Sequence, residues 1–466
     1  MTTTAQPEQQ GPRLVDPRAP VGALAAGAEG ASAPVALAPP ATPRAPASGV
    51  VSRTFDSLQI PAFRWFVLSA FGMFSSMNMQ LVVKGYLTFQ LTGSYAALGL
   101  MSLANALPGL ALSMAGGVLA DRVSKKHIMQ WAQALSAVNS LAIAVLLALG
   151  MLRFEHLFIS AIFQGGVQAI MMPARQSIVP ELVGMRRLMN AIALNSAGMN
   201  TMRLVGPAAA GLLIAAVGSA WVYFIITGLY MFAVATMLPI PARPAPAAEP
   251  VAAAVAAPAV AMRGRGGARS VVELVDGFRY VGRNRLIGML LVVNFLVVMG
   301  SMPYMMLLPG FVEDRLGGGA KELGLLMSIS GSGALVGSLV LASMPPRHRG
   351  RILLGAALVL ALTLIVFAWS TSFVLSMGLM VLVGLAQQGR MSISNALLQH
   401  YVDEVYRGRV MSIYMMEFSL MSLGVFFLGF LAEAVGAEWA IGGSAAVLVL
   451  VVAALYTSLP QLRNLD

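Results

Sequence analysis

Long apolar segments recur along the chain and restrict what it can fold into. Segments of about 20 residues with few charged side chains recur from Phe63 to Leu459, and an α-helix of that length crosses the roughly 30 Å hydrocarbon layer of a bilayer. Strands of a membrane β-barrel would instead be about 10 residues long with alternating polarity. A helix also satisfies its backbone hydrogen bonds within one segment. We therefore predict an all-α membrane protein.

Composition excludes several other classes of protein. The 466 residues are 58% hydrophobic and 11% charged, whereas a soluble domain carries about 25% charged residues. The chain has no cysteine, which excludes disulfides, thiolate metal sites and cysteine nucleophiles. Its four histidines share no close spacing, so we expect no metal site and no cofactor. They are His127, His156, His348 and His400.

The apolar segments define twelve predicted membrane spans, numbered here in chain order. Their boundaries follow hydropathy and the charged or helix-breaking residues between them. The predicted spans are 63–88, 94–119, 125–150, 155–178, 188–216, 219–239, 286–311, 322–344, 350–370, 373–398, 410–433 and 438–459.

The positions of Lys and Arg predict the orientation. If the amino terminus is cytoplasmic, 24 of the 30 cations fall on the cytoplasmic side, as positive-inside topology requires. Both termini are therefore predicted to be cytoplasmic, and the net charge of +11 is a topology signal and does not indicate a nucleic-acid surface. The remaining cations are Arg153, Arg315 and Lys321 outside, with Lys84, Arg203 and Arg390 within spans.

The chain divides into two six-helix bundles with two segments rich in Ala, Pro and Gly. Such segments cannot bury enough apolar surface to fold. Basic and apolar residues alternate at helical spacing after the second segment, which predicts an amphipathic helix on the cytoplasmic surface. The predicted domains are a disordered cytoplasmic tail (1–60), an N-terminal bundle (61–240), a cytoplasmic linker (241–269), the amphipathic helix (270–285), a C-terminal bundle (286–460) and a short tail (461–466).

The two halves are weakly similar to each other, which predicts two pseudo-symmetric bundles. The similarity appears in registers separated by small insertions. A shift of 218 places Gly206, Gly211 and Gly218 on Gly424, Gly429 and Gly436; a shift of 222 places Arg187 on Arg409; and a shift of 225 places Gly99 on Gly324.

The loop between spans two and three carries the most specific motif, Gly-Val-Leu-Ala-Asp-Arg-Val-Ser-Lys-Lys from Gly117 to Lys126. It resembles the signature loop of the major facilitator superfamily, G-x-L-A-D-R-x-x-[KR]-[KR]. The resemblance implies the major facilitator fold, in which Asp121 meets the start of span eleven near Arg409 and closes the cytoplasmic side. The alternative is that the loop only fixes topology and a turn. The gating residues that the resemblance implies are Gly117, Asp121, Arg122, Lys126, Gly206, Pro207 and Arg409.

Two further stretches resemble particular branches of this family. Gly206-Pro207 followed by Gly211 resembles the G-P-x-x-G-G motif of proton antiporters, with Ala210 in place of one glycine. The segment Arg407-Gly-Arg-Val-Met-Ser resembles bacterial exporters of the enterobactin and macrolide type. These resemblances imply a monomeric, proton-coupled efflux protein of the bacterial inner membrane. Lysophospholipid transporters share parts of the same patterns.

Ionisable residues inside spans are candidates for function because hydrocarbon makes them costly. Glu417 is the only acid deep within a predicted span. Coupling to protons requires a group that gains and loses a charge, so Glu417 is the candidate proton-coupling residue, with Arg390 of span ten as its partner. A static ion pair that offsets the cost of burial is the alternative. Lys84 lies near a span end, where it can snorkel to the interface.

Polar side chains in the spans predict the wall of a substrate cavity. They share helix faces at i, i+4 and i+7 spacing. Interhelical hydrogen bonds are the alternative interpretation. Three intramembrane cations against one acid predict a net positive cavity and a solute with anionic character. The predicted cavity residues are Gln164, Gln168, Asn200, Arg203, Asn294, Gln388 and Asn395.

The predicted function is secondary active export, by alternating access and proton antiport, of a small amphipathic solute such as a siderophore, macrolide or other drug-like compound. Its partners are the solute, protons and the lipid bilayer. A lysophospholipid flippase or an importer of the same fold is the first alternative, and a receptor or scaffold without transport is the second. An enzyme is not expected, because no catalytic constellation can be assembled from these residues.

Overall fold

A computed structural model describes residues 55–242, 267–344, 348–463 and 465. Within these ranges, the side chains of 113–118, 120–122, 267–274, 342, 418, 419, 460 and 462 lie outside the description. All regular elements of the described residues are helices, beginning with a short 3-10 helix, Asp56–Gln59. The predicted tail (1–60) and linker (241–269) therefore lie largely outside the described residues.

The first half contains six helices. The first three are α1 (Pro61–Thr92), α2 (Tyr95–Arg122) and α3 (Lys125–Ala148). The 84 residues of Phe154–Met237 follow, and the backbone leaves helical geometry at Gly184 (φ 67°) and Gly218 (φ 84°). Positive φ favours glycine because it has no Cβ. These two breaks define α4 (154–183), α5 (185–217) and α6 (219–237).

The second half begins with the amphipathic helix and continues with apolar ones. The elements are α7 (Gly267–Arg283), α8 (Arg285–Ser301), α9 (Tyr304–Asp314), α10 (Ala320–Ser343), α11 (Arg349–Ala368), α12 (Phe373–Tyr401), α13 (Glu404–Val435), α14 (Ala437–Ser458) and the short α15 (Pro460–Arg463).

Ten helical segments of the described residues are long and apolar enough to cross a membrane, with α8 and α9 counted together as one segment. One of them is the 84-residue segment, which at 1.5 Å per residue would be about 126 Å long if straight. That length is several times the thickness of a bilayer, so the breaks at Gly184 and Gly218 allow the chain to reverse direction. The prediction of a helical membrane protein is confirmed, whereas twelve crossings stay a prediction.

Several predicted boundaries differ from those observed. Predicted span seven is divided at Met302–Pro303 into α8 and α9, because proline has no N–H to donate within a helix. The amphipathic helix begins at Gly267 and ends at Arg283, since Asn284 ends it and caps α8 through a bond from the Ile287 N–H. The predicted tail ends too late, because the Ser57 backbone N–H already donates to Asn190 Oδ1 at 3.0 Å.

The two halves pack internally in the same way. A Cβ built at Gly165 of α4 would lie 2.0 Å from the Asn105 carbonyl oxygen of α2, and one at Gly384 of α12 would lie 1.8 Å from the Ser330 carbonyl oxygen of α10. Asn105 and Ser330 are related by the predicted shift of 225. Close approach of helix backbones at small residues is typical of membrane helices, and it supports the predicted duplication.

Replacement of Gly384 by alanine tests this packing. Because the added methyl would meet a backbone carbonyl, α10 and α12 would have to separate, and overpacking of this kind costs about 1–3 kcal/mol. We expect Gly384→Ala to lower the melting temperature of the purified protein. Gly389→Ala on the same helix is the control, since a Cβ there meets no atom within 4 Å. Equal melting temperatures for both variants would contradict the observed packing.

Candidate functional site

A buried polar cluster joins three helices of the second half. Asn294 of α8 donates a hydrogen bond through Nδ2 to Glu417 Oε2 of α13. The side-chain Oδ1 of Asn294 accepts a hydrogen bond from Arg390 Nη1 of α12. All three side chains are at least 95% buried. We call Asn294, Arg390 and Glu417 the central triad.

The triad differs in one respect from the predicted ion pair. Arg390 and Glu417 do not contact each other directly; the amide of Asn294 bridges them. A guanidinium bound to the amide oxygen polarises the amide and strengthens its N–H as a donor. Arg390 therefore strengthens the hydrogen bond to Glu417 by polarising the Asn294 amide that lies between them. This arrangement leaves the second carboxylate oxygen of Glu417 outside the triad.

Glu417 also lines a cavity of about 610 Å³ between α7, α8, α13 and α14. The other lining side chains are apolar except for Arg285, which is exposed. A cavity of this size accommodates a drug-sized molecule. The predicted net positive lining is not found here, because this cavity has one acid and one cation. Lys84, Arg203 and Arg390 do not line it.

The amphipathic helix α7 covers one side of this cavity and is fixed to the first turn of α13. The Tyr280 hydroxyl donates to Asp403 Oδ2 at 2.9 Å, and the Tyr280 ring stacks on Tyr406 with centroids 4.2 Å apart. One turn further along, Arg409 pairs with Asp276 at 4.0 Å. These three contacts therefore hold α7 against the start of α13.

The two halves meet at two glycine crossings near the turns at Gly93 and Gly218. We call this end of the molecule the 93 end and the opposite end, which carries Val123, the 123 end. A Cβ at Gly429 of α13 would lie 2.7 Å from the Tyr95 carbonyl oxygen of α2, and one at Gly211 of α5 would lie 2.4 Å from the Ala320 carbonyl oxygen of α10. Close backbone approach at both crossings joins the two halves at the 93 end.

These crossings are formed by glycines that the internal repeat relates to each other. Gly211 corresponds to Gly429 and Gly99 to Gly324 in the predicted registers. Gly99 lies against Gly429, and Gly324 lies against Gly211. The α2–α13 and α5–α10 crossings therefore occupy equivalent positions in the predicted repeat. The same glycines that indicated a duplication are the contacts between its two copies.

The predicted gating residues are distributed over several contacts. Lys126 donates through Nζ to the Leu238 carbonyl oxygen at 2.8 Å, within the first half. A Cβ at Gly206 would lie 2.7 Å from Asn78 Cβ of α1, and the Pro207 carbonyl oxygen approaches Gly324 of α10. Gly117, Asp121 and Arg122 lie in the last turns of α2, and their side chains lie outside the described residues.

The predicted cavity residues do not form one wall. Gln164 is buried and donates to Ser136 Oγ of α3 at 3.2 Å, so for this residue the interhelical hydrogen bond is observed. Gln388 donates to Ser392 within its own helix. The remaining predicted residues are either exposed or half-buried. Asn200 and Arg203 are exposed. Gln168 and Asn395 are half-buried, and Asn395 also bonds Gln399 of its own helix.

The roles of two residues in these contacts were not predicted from the sequence. Asn294 was expected in a cavity wall, whereas it is the bridge of the triad. The sequence feature that marks it is a single amide with four apolar residues on each side. Glu433 was not identified at all. It lies in the last turn of α13 and contacts the start of α2, and its signal was an acid at the end of a span.

Asn294→Leu tests the bridge. We expect loss of solute transport and a destabilisation of about 1–3 kcal/mol, because the buried groups of Glu417 and Arg390 lose their shared partner. Ser301→Ala is the control: Ser301 is buried on the same helix and donates only to the Val297 carbonyl oxygen of that helix. Transport and thermal unfolding are measured for both variants. Native behaviour of Asn294→Leu would show that the bridge is dispensable.

Comparison with known proteins assigns the family. Residues 52–466 match the MFS_3 family model, which is described as a transmembrane secretion effector. The chain is a member of the major facilitator superfamily. The predicted resemblance is thereby confirmed, and the protein is a multi-pass membrane transporter of an efflux family and not an enzyme.

Relatives and a solved structure agree with this assignment. The chain is 26% identical over 402 residues to the multidrug efflux pump Tap of Mycolicibacterium fortuitum, covering 84% of this chain and 93% of Tap. It is 24% identical over 298 residues to the enterobactin exporter EntS of Shigella boydii, covering 64% and 67%. Its fold resembles a bacterial homologue of the human lysosomal transporter Spinster, with a TM-score of 0.64, 14% identity and coverage of 89% and 98%.

Proposed function

We propose that the protein exports a small amphipathic solute by alternating access, driven by protons moving in the opposite direction. The observation that carries this proposal is Glu417, a nearly buried carboxylate that lines a solute-sized cavity and is tied through Asn294 to Arg390. The outward direction of transport is supported by membership of an efflux family. It is also supported by the relatives Tap and EntS, which are named for drug efflux and enterobactin export.

The proposed topology has twelve crossings with both termini in the cytoplasm. Ten helices are long enough to span, and counting α4, α5 and α6 separately brings the number to twelve. The positive-inside distribution of Lys and Arg then puts the 93 end outside and the 123 end inside. In this orientation the structure is closed to the outside, and the cavity beside Glu417 lies toward the cytoplasmic side.

Exclusive use of one carboxylate explains how proton and solute movements are linked. In the state open to the cytoplasm, Glu417 releases its proton to the cytoplasmic water, and its free oxygen accepts a hydrogen bond from the solute. In the state open to the outside, a proton from the external water binds the carboxylate and the solute leaves. Because Glu417 holds either the proton or the solute, each crossing of the solute is paired with a proton moving inward.

The cavity suggests the chemistry of the solute. Its walls are apolar, its buried acid favours a hydrogen-bond donor or cationic group, and Arg285 at the edge favours an acidic or carbonyl group. An amphipathic molecule with polar groups at two positions fits this pattern. The siderophore and macrolide classes contain such molecules.

Liposomes containing the purified protein test the proposal. A pH gradient is imposed and the movement of a siderophore, a macrolide, a cationic dye and a lysophospholipid is followed. We expect at least one of the first three to move against its own gradient only while the pH gradient lasts. Absence of gradient-dependent movement for all of them, in liposomes where the protein still binds a solute, would overturn proton-driven export.

A second function is favoured by the position of the cavity next to α7. This amphipathic helix carries exposed Arg279 and Arg283, followed by Arg285, and the cavity beside it is apolar. Basic residues beside an apolar groove at the membrane surface suit an anionic lipid. A lipid flippase would move labelled lysophospholipid between leaflets in the same liposomes, with or without a pH gradient.

A further inference from the structure

The 93 end is joined by a carboxylate of one half and the start of a helix of the other. Oε2 of Glu433, in the last turn of α13, accepts hydrogen bonds from the Tyr95 N–H at 2.8 Å, the Ser94 hydroxyl at 3.0 Å and the Ala96 N–H at 3.3 Å. The first N–H groups of a helix have no partner within that helix and carry partial positive charge. Glu433 therefore satisfies free donors of α2 across the boundary between the halves.

The start of α2 is also tied to the second half at another point. The Tyr95 hydroxyl donates to Asp314 Oδ2, at the end of α9, at 2.8 Å. Ser94 accepts a hydrogen bond from the Ala97 N–H at 3.2 Å, so it caps α2 while it contacts Glu433. The first turn of α2 is thus bound both by its own cap and by two acids of the opposite half.

The equivalent crossing of α5 and α10 is built differently. The register of 218 places Ala215 where Glu433 stands, and the register of 225 places Gly319 where Ser94 stands. The Gly319 N–H donates to Glu322 of its own helix at 2.8 Å. The carboxylate between the halves is therefore a feature of the α2–α13 crossing that the duplication does not explain.

We propose that Glu433 is the latch of the 93 end and the counterpart of Asp121 on the same pair of helices. The start of α2 lies against the end of α13, so the two helices run in opposite directions, and closure of the 123 end would bring the last turn of α2 to the first turn of α13. Glu433 occupies the last turn of α13 and Asp121 the last turn of α2. This inference rests on the proposed alternating access: each carboxylate stabilises one closed end, and the two latches engage in turn.

Distances between spin labels test the latch. The chain has no native cysteine, so cysteines at Leu91 and Val435, both exposed, give one labelled pair across the 93 end. We expect Glu433→Gln to raise the ratio of long-distance to short-distance populations about fivefold, as loss of a charge at a helix N-terminus predicts. Asp121→Asn should lower the same ratio. Both effects should persist without a solute.

The control is Glu438→Gln, which removes an acid at the same end that pairs with Arg315 within the second half. It should leave the distance distribution unchanged. A Glu433→Gln distribution that matches this control would overturn the latch. If the distances shift as expected while no solute is transported by the native protein, the latch stands and the proposed export fails. If the native protein exports solute while Glu433→Gln leaves the distances unchanged, the proposed export stands and the latch fails.

Discussion

Glu417→Gln is expected to remove the gradient-dependent part of solute transport and to weaken solute binding, while the protein still folds. Glutamine has nearly the same shape and can accept the hydrogen bond from Asn294, but it cannot bind and release a proton. Flux under an imposed pH gradient should fall to the level measured without a gradient. Exchange of solute between the two sides should also fall, because the amide NH2 group that replaces the free oxygen cannot accept a hydrogen bond from the solute.

The matched variant for this experiment is Glu322→Gln. Glu322 is an acid of the same half that bonds the Gly319 N–H of its own helix at the 93 end, so its loss should not change the response to pH. Melting temperatures of both variants separate a coupling defect from misfolding. Gradient-driven flux in Glu417→Gln equal to the native flux would assign the triad to a purely structural role, the alternative that the sequence left open.

Gly429→Trp is expected to abolish turnover by preventing closure of the 93 end. A Cβ at this position would lie 2.7 Å from the Tyr95 carbonyl oxygen and 3.1 Å from Gly99 Cα. Both neighbours are backbone atoms, which cannot move away by a change of side-chain rotamer. An indole there would require α2 and α13 to separate, so the labelled Leu91–Val435 pair should show only the long distance. Solute should still bind from the side that remains open.

Gly228→Trp provides the comparison, because a Cβ at Gly228 of α6 meets no atom within 4 Å. It should transport solute and show both distances.

Gly211→Trp at the equivalent α5–α10 crossing should behave like Gly429→Trp, since its Cβ would lie 2.4 Å from the Ala320 carbonyl oxygen. Normal turnover in Gly429→Trp would show that the glycine crossing is not a moving contact.

The elements of the fold followed from the sequence because long apolar segments have few structural solutions in a bilayer. The amphipathic helix was equally visible from charge spacing, and glycines such as Gly211 and Gly429 predicted a duplication. Boundaries were less accurate. The division of span seven depends on Pro303 and on packing around it, and the continuation of α4 to residue 183 depends on contacts that hydropathy does not register.

The site was harder to predict because its geometry depends on three helices distant in sequence. Glu417 and Arg390 were identifiable as charges in apolar surroundings, but spacing along one helix cannot show that Asn294 of another lies between them. Gln164 illustrates the converse: a polar residue on a plausible face is bonded to Ser136 of a neighbouring helix. Glu433 escaped notice because an acid at a span end is ordinary until its partner is known.

Alternate closure of the two ends of the molecule can be followed by two spin-label distances measured in the same preparation. One pair spans the 93 end at Leu91 and Val435, and the other spans the 123 end at Val123 and Val405, all of which are exposed. We expect a change of pH or addition of a transported solute to lengthen one distance while it shortens the other. Distances that change together, or do not change under any transporting condition, would contradict it.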